Sequence, residues 1–80
     1  MKKNPVSLDR LAPGQFGKVI CLNAVGVTRR RLMDLGLVVD TVVEALRQSP
    51  AGDPTAYQIR GAVIALRSEE AKRILVEAVD

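Results

Sequence analysis

"TVVEALRQSPAGDPTAYQIRGAVIALR", residues 41–67, decides the fold, because it holds three short apolar runs separated by strong breaks. Residues 41–47, "TVVEALR", read as a strand. The Pro-Ala-Gly-Asp-Pro core of the following "QSPAGDP" forces the chain to turn. In "TAYQIRG" the apolar and polar positions alternate, with Tyr57 and Ile59 on one face and Gln58 and Arg60 on the other. Gly61 then turns the chain into a further strand, "AVIALR", over residues 62–67.

Upstream, "QFGKVICL" (residues 15–22) is another Val- and Ile-rich strand. It carries Phe16, Ile20 and Leu22 on one face and Val19 and Cys21 on the other, the pattern of a strand buried on both sides or curling into a barrel. Before it, "SLDRLAPGQ" predicts one helical turn, capped by Ser7, with Leu8 and Leu11 on a common face and Pro13-Gly14 as the stop. Residues 23–27 form a loop. Thr28 is positioned to cap a short helix over about 28–35, with Leu32 and Leu35 facing the core and Gly36 in a left-handed C-terminal position. Downstream, "SEEAKRILVEAVD" predicts a helix at about 69–79. Ser68 would cap it, Glu69 and Glu70 suit its first turn, and Ala71, Ile74, Leu75 and Ala78 would form one stripe. Glu69 with Arg73, and Arg73 with Glu77, stand at helpful i,i+4 spacings. The expected architecture is mainly β, a small SH3-like β-barrel with short helices.

The 80 residues make one domain, 1–80, whose first few residues are expected to be disordered, and a 48% apolar content supplies one core. Cys21 is the only cysteine, which fits a reducing compartment, and no run approaches the roughly 20 apolar residues of a membrane span. Two lysines near the start precede no apolar segment of the kind a secretory signal needs. These features predict a cytoplasmic protein.

Enzymatic chemistry finds few tools here. With no histidine the usual neutral-pH proton shuttle is missing. Cys21 sits in an apolar strand as a packing residue, Ser7 and Ser68 are accounted for as caps, and no phosphate-cradling glycine loop occurs. The expectation is no enzyme, no metal site and no cofactor. The scattered carboxylates offer at most a weak or transient contact with Fe(II) or another divalent ion. Nucleic-acid barrels stack bases on exposed aromatics, whereas Phe16 and Tyr57 both lie in strands where burial is the default.

Twelve basic against nine acidic residues leave a net charge of +3, much of it in Lys2, Lys3 and the triplet Arg29, Arg30, Arg31. Cations at a helix start oppose the macrodipole, at about 0.3–1 kcal/mol per exposed charge. Successive residues point about 100° apart, so the three fan around the helix, and Asp34 can pair with Arg30 or Arg31. The plainer reading is that arginine stems cover the barrel mouth. The alternative, favoured by a local rule broken without compensation, is a recognition patch of Arg29, Arg30, Arg31, Leu32 and Asp34 for an acidic or phosphate-bearing surface.

"RRRLMDLGLVVDTVVEALRQSPAGDP", followed by "IRGAVIALRSEEAKRILVE", closely resembles the FeoA family of small ferrous iron transport proteins. The resemblance runs from about Leu8 to the C-terminus. It rests on the order of the arginine-rich turn with Gly36, Asp53-Pro54, Gly61 with Ala65-Leu66-Arg67, and Glu70-Ala71 with Ile74. It implies an SH3-like barrel in the cytoplasm, a barrel also found at the end of iron-dependent repressors. It further implies an accessory of the FeoB-type ferrous iron permease, docking on its cytosolic GTPase-bearing region. Transition-metal binding comes with the family, against the missing histidine. Where the family has a Pro-Gly-like turn after "LGL", this chain has Val38-Val39-Asp40, and Asp accepts turn conformations. A nucleic-acid-binding barrel and a metal-sensing module are the alternatives, and weak self-association through a free edge strand is compatible with any of them.

Overall fold

The computed structural model describes residues 4–79. Lys2, Lys3 and the expectation of disorder in the first few residues lie outside that range.

The 41–67 stretch folds as expected, with boundaries moved by a residue: β3 (Val42–Gln48), β4 (Thr55–Ile59) and β5 (Ala62–Leu66) form an antiparallel meander. Gly52 N–H donates to the Ser49 carbonyl at 2.8 Å, which closes the first connection. The second is a two-residue turn in which Arg60 and Gly61 both take positive φ, +52° and +82°. That conformation matches the right-handed twist of the flanking strands. Tyr57 and Ile59 point into the core, each about 1% exposed.

β1 (Val6–Ser7), a 3-10 turn (Leu8–Arg10) and β2 (Phe16–Leu22) precede helix α1 (Gly26–Asp34), which connects to β3. Ser7 does not cap the 3-10 turn through a backbone N–H; its hydroxyl donates to the Asp9 carboxylate instead. β2 is covered on one side only. Gly17 and Val19 are buried, while Phe16, Lys18 and Ile20 face outward, until a bulge between Val19 and Cys21 shifts the register. Phe16 is therefore 41% exposed, contrary to the expectation of burial. Gly17 is required by packing: a Cβ there would meet Val76 Cγ2 at 2.8 Å and Leu11 Cδ1 at 3.0 Å.

The C-terminal helix expected at 69–79 is not formed. After Leu66 the chain makes one short helix, α2 (Ser68–Ala71), and then β6 (Ile74–Val79). β6 lies between β1 and β2 in a six-stranded sheet of order β1-β6-β2-β3-β4-β5. Its residues satisfy backbone groups on both neighbours, from Val6↔Val76 on one side to Phe16↔Val79 and Leu22↔Ile74 on the other. Ile74 and Val76 are fully buried, and β-branched side chains suit that pleated surface better than a helix. The Glu69–Arg73 and Arg73–Glu77 helical spacings thus never arise. The architecture is mainly β and barrel-like, with no β1–β5 pairing among the described residues to close it.

A candidate docking surface on helix α1

Helix α1 starts three residues before the arginines. Val25, extended at φ −130° and ψ 163°, occupies the N-cap position without a side-chain bond, and Thr28 lies inside the helix. The triplet consequently falls in the middle, with Arg31 in the last turn, where positive charge is favoured. The misplaced cations of the sequence are a boundary effect. Asp34, the last helical residue, is instead the charge set against the dipole.

The C-terminus is a Schellman stop. Gly36 N–H donates to the Met33 carbonyl at 2.9 Å and Leu37 N–H to the Leu32 carbonyl at 3.1 Å, with Gly36 at φ +103°. Leu32 and Leu37, both fully buried, supply the apolar contact that accompanies this motif. Leu32 is therefore the anchor holding α1 to the core and has no surface to offer. Leu35 packs half-buried beside it. Asp40 turns the next corner at φ +75°, as an aspartate can.

The three arginines take three different roles. Arg29 Nη1 donates to the Leu22 carbonyl at 3.3 Å, which fastens the guanidinium to the end of β2. Arg31 pairs with the Glu70 carboxylate of α2. Arg30 is exposed, and among the described residues neither it nor Asp34 has an ion-pair partner. Asp34 thus pairs with neither Arg30 nor Arg31. Glu70 does two jobs: one oxygen meets Arg31, and the other accepts the Arg67 N–H at 3.1 Å, capping α2. Asp53 supports the same turn from the β3–β4 connection, accepting the Ser68 N–H at 2.9 Å and its hydroxyl at 3.4 Å. Ser68 is thus the recipient of a cap rather than the cap.

Around Arg29 and Arg30 the surface is apolar. Val25 and Val27 are each 85% exposed, Val39 is 59% and Met33 is 42% exposed. Arg29 and Met33 form a ridge between two depressions. One of about 420 Å³ also touches Gly26, Arg30 and Asp34. The other, about 140 Å³, is lined by Cys21, Leu22, Val38 and Val39 as well as the ridge. Sequence reasoning missed Val25 and Val27, although their place on either side of Gly26 at a loop-to-helix junction was a usable signal. Glu70 had no such signal, because its partner Arg31 lies 39 residues away.

The described residues contain no group of three or more His, Cys, Asp or Glu able to hold a metal ion. No helix among them is long and apolar enough to cross a membrane. The one exposed aromatic on the sheet, Phe16, stands opposite Glu44, and a carboxylate beside a stacking ring disfavours a phosphate backbone. Burial pushes the Tyr57 phenol above its usual 10.0. The Asp9 and Asp53 carboxylates add to the rise, and a hydrogen bond with Thr55 opposes it.

The FeoA domain family matches residues 6–78. The solution structure of an FeoA-like protein from Clostridium acetobutylicum is 36% identical and superposes with a TM-score of 0.89, covering 100% of this chain and 92% of that one. The FeoA of Stenotrophomonas maltophilia, an SH3 domain protein crystallised with zinc, is 29% identical, with a TM-score of 0.80 over 90% of this chain and 89% of that one. An Fe(2+) transport protein A/Fe(2+) transporter FeoB fusion protein of Porphyromonas gingivalis is 29% identical over 72 residues. That match takes in 90% of this chain but only 8% of the fusion protein's length.

Proposed function

The chain belongs to the FeoA family of ferrous iron transport, and from that premise we propose that it is a non-enzymatic cytosolic adaptor docking on the GTPase-bearing region of a FeoB-type permease. It acts as a single FeoA-like domain, modulates the permease by contact, and reaches the membrane only through that partner. The observation that carries this reading is the α1 surface, where two exposed cations stand among exposed aliphatic residues, with Arg30 held by no partner of its own among the described residues. Charge-guided encounter followed by apolar burial is what such a surface does well. The Porphyromonas gingivalis fusion supports the choice of partner. A relative of this chain shares one polypeptide with a FeoB transporter there, and covalent linkage raises the effective concentration of two domains that work together.

Within the patch Arg29, Arg30 and Asp34 make the contact. Arg31, bound to Glu70, and Leu32, buried in the core, fix the pose of α1. No resident metal or cofactor takes part, and iron is cargo of the permease. Binding of the chain to the permease's purified cytosolic region, followed by calorimetry, tests the proposal. Arg29→Glu/Arg30→Glu is expected to weaken binding by about tenfold or more, while Arg47→Glu on β3 leaves it unchanged. Equal affinity for the double variant rejects the site, and no binding by the wild type rejects the adaptor.

A further inference from the structure

Two depressions share one wall on α1, and their linings differ in chemistry. The smaller is apolar apart from Arg29, and its volume of about 140 Å³ compares with the roughly 150 Å³ cavity that holds a benzene-sized group. It therefore has room for one aliphatic side chain. The larger is lined by Arg29, Arg30 and Asp34 together with Gly26 and Met33, so two cations and one anion share it. Arg29 is held by its bond to the Leu22 carbonyl. One of its five N–H donors is occupied there, and others remain for a carboxylate without a further search of rotamers.

From this geometry we infer that α1 recognises an amphipathic acidic helix of its partner. One aliphatic side chain seats between Met33 and Val39, and a carboxylate on the same helical face pairs with Arg29 and Arg30. An aliphatic residue and an acid three or four positions apart on a helix present themselves side by side, which matches two adjoining hollows. Val25 and Val27 extend the apolar contact at the start of α1. Asp34 sets the polarity: it repels a second carboxylate near the end of α1, so the segment lies in one direction, and it also repels polyanions. An anionic membrane is disfavoured for the same reason, and because a flat lipid surface fills neither hollow. The inference rests on the adaptor reading and specifies what the docked segment is made of.

Two acetylated synthetic peptides test it against the full ¹⁵N-labelled chain. Both are helical, with leucines at i, i+3, i+4 and i+7; one carries glutamates between them and the other lysines. Anionic phosphatidylserine vesicles form a third arm. The glutamate peptide is expected to shift the amides of Gly26, Arg30, Met33 and Val39 saturably and less strongly as salt rises. Met33→Glu and Arg30→Glu are each expected to weaken it by at least about tenfold. Both positions are exposed, so neither change threatens the core. Shifts elsewhere, an equal response to the lysine peptide, or preference for vesicles overturns the inference. The permease's cytosolic region is titrated in parallel. If it binds the wild type and Met33→Glu equally, the inference fails and the adaptor stands. If it binds neither while the glutamate peptide seats as stated, the adaptor fails and the recognition chemistry stands.

Discussion

Glu70 concentrates several constraints in one side chain. It caps α2 through the Arg67 N–H, pairs with Arg31 on α1, and is only 20% exposed while its partner is 51% exposed. An open ion pair contributes about 0–1 kcal/mol, and a capping acceptor about 0.5–2 kcal/mol. Replacing Glu70 separates them. Glu70→Ala removes both and is expected to cost about 1–2 kcal/mol in urea unfolding. Glu70→Gln keeps an acceptor for the Arg67 N–H and is expected to cost about 0.5 kcal/mol or less. Equal losses in the two variants would mean that the ion pair, and not the cap, carries the stabilisation. At this scale the candidate site was half legible. The cluster Arg29 to Arg31 was visible as an anomaly, but its division into a tethered, an exposed and a paired arginine depends on Leu22 and Glu70, which no local pattern connects to it.

Elements were legible where the chain's own periodicity decided them, as in β3 to β5, whose alternation and turn residues agree. The Schellman stop of α1 was equally plain from Gly36. The segment 68–79 was not. Its first residues have the acids and the cap of a helix start, and α2 does form there for one turn. The remainder is claimed by β1 and β2, whose unpaired backbone groups no local signal announces. The alternating β-branched Ile74 and Val76 were the clue available. What ends α2 so early is the handover at Arg73, whose carbonyl accepts the Asn23 N–H at 2.6 Å and so already faces the end of β2. The turn that survives depends on Asp53 in the distant β3–β4 connection. Asp53→Ala is expected to cost about 1–2 kcal/mol, and Asp53→Asn, which keeps an acceptor, less than half of that. Hydrogen exchange should show the Ser68 amide losing protection in the alanine variant. Protection equal to wild type would remove Asp53 from this role.

For the molecule as a whole, pH dependence at the alkaline end is set in part by the core. Burial raises the Tyr57 phenol above 10.0, so the unfolded chain releases that proton first. The associated stability is complete below about 10 and is lost as pH rises through the folded-state value. Thermal melts at rising alkaline pH should show a steeper decline for wild type than for Tyr57→Phe. Parallel declines would show that tyrosine ionisation is not coupled to unfolding. The sheet order has a different consequence, for biosynthesis. β6, the last of the described strands to be translated, is flanked by β1 and β2, the first two of them. Until the ribosome has delivered residues 74–79, both early strands carry open hydrogen-bonding edges, and β1 has no place in the sheet. A translational stall before Ile74 therefore leaves a product with exposed pairing edges, suited to aggregation and to capture by chaperones.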